Sequence, residues 1–252
     1  MQSQRANTCY LFYTTLFSAV LILSNIMAVK LFRAPFFGNL ALPCGVITYP
    51  LTFLLTDIVS EVWGKAEANR MVYLGFAMNL VMLVVVQLSI ALPAHAYLVH
   101  PGNPQGYTDV NHYQSAFESV FSINGKLFLA AMVAYMASQL VDIKLFHYFR
   151  DLTRTKHLWL RNNIATMVSQ VLDTLIFGCI VFYWGLGMPL MTGVEIMGTM
   201  ILFKWILALL DTPFCYMGVA LTKRLVGNKD VQHEVVAPAR LAGADRARDT
   251  VA

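Results

Sequence analysis

Charged side chains are scarce in this sequence. Asp, Glu, Lys and Arg make up 13% of the 252 residues, whereas a typical soluble domain has about 25%. Hydrophobic residues make up 58%, and the mean hydropathy is +0.59. A soluble protein of this length needs a polar coat that so few charged residues cannot supply. The composition therefore excludes an ordinary soluble domain and indicates a surface that faces lipid.

Cysteine and histidine are also few and scattered. The cysteines are Cys9, Cys44, Cys179 and Cys215, with no C-x-x-C spacing. The histidines form no H-E-x-x-H motif. We therefore expect no metal site, no cofactor and no catalytic residues, and we interpret the cysteines as apolar side chains. An intramembrane enzyme is disfavoured, because the acids that could form a protease pair, Asp142 and Asp173, have no glycine motif around them.

Apolar runs of about 20 residues, the length that crosses a bilayer, are the main feature present. They cover residues 10–29, 46–63, 71–92, 127–149, 162–184 and 194–221. We expect an all-α membrane protein, a bundle of six transmembrane helices over residues 10–221 that follows a short cytoplasmic segment, 1–9. Residues 222–252 lack apolar periodicity, which predicts a mostly disordered cytoplasmic tail. Pro50 and Pro213 are expected to kink their spans near Asp57 and Asp211.

Basic residues outside the predicted spans lie mostly on one side. One face carries Arg5, Lys65, Arg70, Arg150, Arg154, Lys156, Arg161, Lys223, Arg224, Lys229, Arg240, Arg246 and Arg248. The other face carries only Lys30 and Arg33. By the positive-inside rule, both termini are predicted to be cytoplasmic. The outer loop, 93–125, has no Lys or Arg, and apolar spacing over 112–121 predicts a short amphipathic helix at the outer interface.

Acidic residues interrupt the predicted spans, where a charge costs about 2.5–3.5 kcal/mol even on insertion scales. The acids are Asp57, Glu61, Asp142, Asp173 and Asp211, against one central base, Lys204. Such a set favours a cation, a proton or a neutral ligand rich in N–H donors as the transported species. Asp57 and Glu61 share one helix face, where two like charges could hold a common proton. Alternatively, Glu61 pairs with Lys65 one turn further on.

A five-residue motif occurs twice. Ser138-Gln139-Leu140-Val141-Asp142 in the fourth span recurs as Ser169-Gln170-Val171-Leu172-Asp173 in the fifth. Gln and Asp three residues apart lie on one helix face, where an amide and a carboxylate can bind the edge of a planar heterocycle. The alternative is that these polar side chains only hold helices together, which we favour for the two serines but not for the two aspartates. The two spans run in opposite directions, as inverted repeats of transporters do.

These residues resemble the queuosine precursor transporter family, also called the YhhQ-like or VUT family, whose members are bacterial six-helix membrane proteins. The similarity covers about residues 15–220. It is carried by Ser24-Asn25, Lys30, Pro50, Thr56-Asp57, Glu61, Gly64, both S-Q-x-x-D motifs, Arg161-Asn162, Thr174, Lys204 and Thr212-Pro213. This chain has Ala165 before Thr166, where the family pattern has serine.

The resemblance implies an inner-membrane transporter that imports a 7-deazaguanine, such as preQ0, preQ1 or queuine, for tRNA modification. The expected substrate-binding residues are Asn25, Asp57, Gln139, Asp142, Gln170 and Asp173. By this interpretation the carboxylates hold the amino edge of the base and the amides hold its carbonyl. Phe53, Tyr135 and Phe177 are candidates for stacking on the ring. Asp57, Glu61 and Lys204 are the candidates for proton or charge coupling.

The expected partners are a small nucleobase and membrane lipid, with no direct contact to nucleic acid. A homo-oligomer is left open. The alternative function is a vitamin-type substrate-binding membrane subunit that works with a separate energy-coupling module. The choice among the candidate bases, and between proton-coupled and facilitated transport, is also open at this point.

Overall fold

The computed structural model describes residues 2–28, 30–34, 40–99, 107, 109–121, 125–153, 158–185 and 187–227. The α-helices in these ranges are α1 Gln2–Met27, α2 Tyr49–Val62, α3 Lys65–Ala91, α4 Val110–Phe121, α5 Gly125–Leu152, α6 Leu158–Gly178 and α7 Leu190–Val226. A π-helical segment, Cys179–Gly185, extends α6. The strands β1 Leu31–Ala34 and β2 Leu40–Pro43 form an antiparallel hairpin between α1 and α2. Some expectations concern Arg154, Lys156 and residues 228–252, which lie outside the described residues.

Four of the described helices are long and apolar enough to cross a membrane. They cover Gln4–Met27, Lys65–Ala91, Leu158–Trp184 and Leu190–Val226. Only 17% of the most apolar stretch of α3 is buried within the protein, and the same share holds for α7. Large side chains such as Val84, Leu88, Leu202 and Leu210 point outward instead. Because so much apolar surface is unfavourable in water, these helices face lipid, and the expectation of a helical, multi-pass membrane protein is confirmed.

The second predicted span differs most from the structure. The observed helix, α2, begins at Tyr49, after a 3-10 turn over Cys44–Ile47, and has 14 residues. At 1.5 Å per residue it is about 21 Å long, whereas the hydrocarbon core of a bilayer is about 30 Å thick. Pro50 lies in the first turn of α2, where its missing N–H would have no helical partner anyway. The predicted kink at Pro50 is therefore wrong, while Pro213 does lie inside α7.

Other segments of the structure add to the predicted spans. The short helix expected in the outer loop is present as α4, and Gln114 joins it to α3 by donating a hydrogen bond of 3.1 Å to the carbonyl of Ile90. α7 continues to Val226, so residues 222–226 of the segment expected to be a tail are helical. The hairpin before α2 is not predicted by the apolar pattern, and the backbone N–H of Cys44 closes its base on the carbonyl of Lys30, at 2.8 Å.

Close packing holds the helices around a shared core. α1, α2, α3 and α7 enclose an apolar cluster that includes Phe17, Phe53 and Val59. Gly75 lets α3 approach α1, because a Cβ at this position would overlap the ring of Phe17. α5 and α6 pack extensively along each other as an antiparallel pair. Small residues and ring packing therefore replace the hydrophobic effect, which acts weakly between helices in lipid.

Several contacts bring the charged helix ends together. Tyr10 of α1 donates a hydrogen bond of 3.1 Å to the carbonyl of Glu67 in α3. Glu61 of α2 forms ion pairs with Arg161 of α6 and with Lys223 of α7. The N-terminal ends of α1, α3 and α6 therefore meet the C-terminal ends of α2 and α7. This common end, which we call the basic end, carries the described Lys and Arg residues that the sequence places on one face, which are Arg5, Lys65, Arg70, Arg150, Arg161, Lys223 and Arg224.

Candidate functional site

An ion pair between α6 and α7 lies inside the bundle. The Nζ of Lys204 is 2.6 Å from Oδ2 of Asp173, and each side chain is 10% exposed. Lys204 also donates to the hydroxyl of Thr174, at 3.2 Å. Its Nζ lies 5.0 Å from the centre of the Tyr49 ring. The carboxylate, the hydroxyl and the aromatic face together stabilise a cation that has been removed from water.

The two S-Q-x-x-D motifs contact each other across α5 and α6. Ser169 donates to Oδ1 of Asp142 at 2.8 Å, and Ser138 donates to Oδ1 of Asp173 at 3.5 Å. Each serine thus donates a hydrogen bond to the aspartate of the other motif, so an approximate twofold axis relates the two segments. These contacts are hydrogen bonds between helices, which is the role that the sequence favours for the two serines.

The two serine contacts differ in length, and their removal should differ in effect. Ser169→Ala is expected to lower the stability of the protein by about 1 kcal/mol, within the range of about 0.6–1.7 kcal/mol for hydrogen bonds between membrane helices. Ser138→Ala is the matched control and should cost less, because its bond is longer. Thermal unfolding in detergent measures both. A larger loss for Ser138→Ala would contradict this ranking.

Three of the expected substrate-binding residues pack between helices. The amide of Gln139 donates to the hydroxyl of Tyr135 at 2.8 Å and accepts from Thr56 at 3.3 Å. The carboxyl of Asp57 lies beside that of Asp142. The side chains of Asp57, Gln139 and Asp142 are almost fully buried, and none of them lines either of the cavities that follow. Their contacts fix α2, α5 and α6 relative to one another.

A first cavity opens between α1, α2, α5, α6 and α7. The volume inside it that a water-sized sphere can reach is about 160 Å³. Asn25, Asp173 and Lys204 supply polar groups to its wall. Its aromatic walls are Tyr49, Tyr135, Phe177 and Phe203. Flat apolar surfaces beside a few fixed polar groups can bind a planar polar molecule.

The amide of Asn25 has a defined orientation in the first cavity. Its Nδ2 donates to the carbonyl of Leu21 at 3.1 Å and to Oδ1 of Asn79 at 2.8 Å. Both N–H groups are therefore used, and the carbonyl oxygen is the atom that Asn25 offers to a ligand. The sequence-based expectation that this amide donates to a ligand carbonyl stays a prediction, and in this structure the carbonyl oxygen is the group that is free of these two contacts.

A second, much smaller cavity, of about 20 Å³, lies next to the first. Phe53, Gln170 and Asp211 contribute to its wall. Tyr49 and Lys204 line both cavities. The aromatic ring and the ammonium group therefore stand between the two spaces.

Glu61 has other partners than the sequence predicts. Its carboxylate contacts Arg161, and Nζ of Lys223 lies 3.1 Å from its Oε1. The expected pair with Lys65 is therefore wrong. The shared proton expected for Asp57 and Glu61 also loses its geometric basis, because the carboxyls beside Asp57 are those of Asp142 and Asp211.

Some residues of the site have no clear signal in the sequence. Arg161 belongs to the family pattern but is counted in the sequence as a loop residue, whereas in the structure it is 1% exposed and lies over the ring of Phe146 at 5.1 Å. Tyr49 and Phe203 line the first cavity. Aromatic residues occur throughout the predicted spans, and the sequence does not distinguish those that face a cavity from those that face lipid. The stacking candidates Tyr135 and Phe177 line the first cavity, and Phe53 lines the second. No group of three His, Cys, Asp or Glu side chains in the described part of the chain could hold a metal ion.

Lipid-facing helices around internal cavities, with a buried ion pair in the shared wall, define a membrane transporter. The family model described as "Putative vitamin uptake transporter" matches residues 43–218. The chain belongs to this family, which is a family of transporters and not of enzymes.

Two curated relatives specify the resemblance further. A "Probable queuosine precursor transporter" of Bacillus subtilis (strain 168) is 29% identical over 211 residues, which cover 83% of this chain and 82% of the relative. A protein of the same name from Haemophilus influenzae (strain ATCC 51907 / DSM 11121 / KW20 / Rd) is 25% identical over 139 residues, covering 55% of this chain and 51% of the relative. No solved structure matches the chain. The family resemblance drawn from the sequence motifs is confirmed.

Proposed function

We propose that this protein imports a queuosine precursor of the 7-deazaguanine class, such as preQ0, preQ1 or queuine, across the bacterial inner membrane. The observation that carries the proposal is the first cavity, where the buried Asp173–Lys204 pair meets aromatic walls. The names of the two curated relatives support the same substrate class.

The polar groups of the first cavity match the edge of a deazaguanine. Such a base presents N1–H and an exocyclic amine side by side, and a carboxylate accepts two parallel N–H bonds. Asp173 is the carboxylate in the cavity wall, and Lys204 can donate to the neighbouring carbonyl of the base. The Asn25 carbonyl can accept from a further N–H. Tyr49 and Phe177 offer ring faces for stacking.

The other expected site residues act at a distance from this cavity in our proposal. Asp57, Gln139 and Asp142 position the helices that carry the site, since their contacts run between helices. Lys204 is the coupling candidate with the most direct contact to the site, because it lines both cavities. Glu61 belongs to the ion pairs at the basic end and influences transport through the helix ends that they join.

The proposed arrangement in the membrane has six crossings and cytoplasmic termini, with the short α2 and the hairpin and 3-10 turn before it forming the second crossing. The clustering of basic helix ends at one end of the bundle supports it, because that end would face the cytoplasm under the positive-inside rule. The first cavity lies on the other side of the Lys204 pair from the basic end. It would therefore receive substrate from outside.

The test is the queuosine content of tRNA in a bacterium that can neither make nor import the precursors. The strain expresses this chain and is fed low concentrations of preQ0, preQ1 or queuine in turn. We expect at least one base to restore queuosine, and that base identifies the substrate. Failure with all three, despite confirmed expression in the membrane, would contradict the proposal. Uptake by the purified protein alone in liposomes would exclude a subunit that needs a separate energy-coupling module.

A further inference from the structure

The aspartates of the two S-Q-x-x-D motifs have different neighbours. Asp173 pairs with the ammonium group of Lys204, so its negative charge has a counter-ion. Asp142 lies instead beside a second carboxyl, that of Asp57 in α2. Equivalent positions of the repeat therefore hold a carboxylate with a cation in one case and two carboxyls in the other.

Each carboxyl of the Asp57–Asp142 pair keeps one oxygen without a hydrogen bond. Both side chains are almost fully buried. In the described part of the chain, no N–H or hydroxyl group donates to Oδ1 of Asp57 or to Oδ2 of Asp142. Two buried carboxylates repel each other, and neither of them has a donor. One proton held between them replaces this repulsion by a hydrogen bond, so a proton is the ligand that the pair suits.

Three titratable groups on neighbouring helices face Asp57. They are the guanidinium group of Arg161 in α6 and, in α7, the carboxyl of Asp211 and the thiol of Cys215. Arg161 contacts the carboxylate of Glu61, and the ion pairs within the described ranges include none to Asp57 or Asp142. Asp211 adds a third carboxyl, which makes a second negative charge on the pair less favourable.

A narrow polar route connects the pair to the first cavity. The second cavity, of about 20 Å³, is too small for a base but has room for about one water molecule. Lys204 and Asp211 line it, and Lys204 also lines the first cavity. Since Asp211 also faces Asp57, one water molecule and this carboxyl can relay a proton from the outer side to the pair.

Reciprocal hydrogen bonds connect the pair to the proposed base site. Ser169, on the helix that carries Asp173, donates to Asp142 at 2.8 Å. Ser138, on the helix that carries Asp142, donates to Asp173 at 3.5 Å. A shift of α5 against α6 therefore changes the surroundings of both carboxyls together. Loss of the proton would leave two like charges between α2 and α5 and would favour a conformation in which these helices separate.

We propose that Asp57 and Asp142 hold one proton between them and that this proton couples import of the base to the proton gradient. The proton enters from the outer side, is held between the two carboxyls, and leaves to the cytoplasm when the base is released, one proton for each base. The protonated pair stabilises the conformation described here, and the deprotonated pair favours the one that releases the base. Because the coupled process is transport of the base, this inference rests on the proposed function.

The test separates coupled uptake from exchange. Purified full-length protein in liposomes is given a pH gradient, acidic outside, with the membrane potential clamped at zero, and radiolabelled preQ0, preQ1 and queuine are supplied in turn. With one proton per base, a gradient of about one pH unit should concentrate the transported base about tenfold, and a protonophore should abolish this accumulation. Exchange of internal labelled base for external unlabelled base is measured without a gradient, because it needs no net movement of protons.

Asp57→Asn and Asp142→Asn each remove the shared proton but keep the size of the side chain, and the amide donates the hydrogen bond that the proton supplied. We expect both variants to lose accumulation and to keep exchange. Glu195→Gln is the matched control, because it neutralises an exposed acid of α7, and it should accumulate the base like wild type. Infrared spectra at neutral pH should show the absorption of a protonated carboxyl in wild type and a weaker one in both Asn variants.

Each result supports or overturns a separate part of the proposal. Normal exchange without accumulation in the wild-type protein would overturn proton coupling and leave the proposed function intact. Wild-type accumulation, or an unchanged infrared absorption, in both Asn variants would overturn the assignment to this pair. Loss of exchange together with accumulation would mean that the pair is needed for the whole transport cycle, which also overturns a coupling role. If the wild-type protein neither exchanges nor takes up any of the three bases, the proposed function itself fails.

Discussion

Replacing the buried ion pair by a neutral pair, in the double variant Asp173→Asn/Lys204→Gln, is expected to reduce uptake by at least roughly 100-fold, since a hydrogen bond to a charged group contributes about 1.5–3 kcal/mol and two are lost. The neutral amides keep the size of the site but cannot present a carboxylate and an ammonium group to the base. Stability should change less than in a single variant, because the double variant leaves no unpaired charge buried. Uptake and thermal unfolding are measured on the same preparation.

The single variants and an exposed acid provide the controls for this pair. Asp173→Ala alone leaves the Lys204 cation buried without its counter-ion and should destabilise the protein by about 3–5 kcal/mol. Glu195 lies on the same helix as Lys204 but is exposed, so Glu195→Gln should transport like wild type. Wild-type uptake by the neutral double variant would remove the ion pair from substrate recognition.

Breaking the buried contact at the basic end is expected to destabilise the protein by about 3–5 kcal/mol. Arg161 is 1% exposed and contacts the carboxylate of Glu61. Arg161→Leu removes the cation and leaves that carboxylate poorly compensated between α2 and α6. The midpoint of thermal unfolding in detergent, compared with wild type, measures the effect.

Lys223 is the matched control, because it pairs with the same carboxylate from a more exposed position. Its side chain is 43% exposed, and its Nζ lies 3.1 Å from Glu61. Lys223→Ala should therefore cost only about 0–1 kcal/mol, as surface ion pairs do. An equal loss for the two variants would mean that burial of Arg161 does not decide the strength of its contact.

The predictions from the sequence that succeeded depend on local pattern. Apolar runs must be helical in lipid, because a helix satisfies its backbone hydrogen bonds within one segment. For that reason α1, α3, α5, α6 and α7 all lie where the sequence predicts spans. The repeated motif also pointed to α5 and α6 as a related pair, and the reciprocal serine contacts follow from its spacing in antiparallel helices.

The predictions that failed depend on where a segment begins or on which helix is its neighbour. The apolar pattern does not distinguish helix from hairpin before Tyr49, so the short α2 and the first-turn position of Pro50 were not predicted. The six expected substrate-binding residues are divided by packing. Asn25 and Asp173 line the first cavity, Gln170 lines the second, and the other three lie between helices.

The sequence by itself determined that this is a helical membrane protein with buried acids and a central lysine, and that it belongs to a family of transporters. These conclusions follow from run lengths, composition and motifs. Only the tertiary structure decided the partners of each charge. Glu61 finds its cations 100 and 162 residues away in the chain, although Lys65 is one turn distant. The physical reason is that a buried charge needs a partner close in space, and helix packing rather than sequence separation sets that distance.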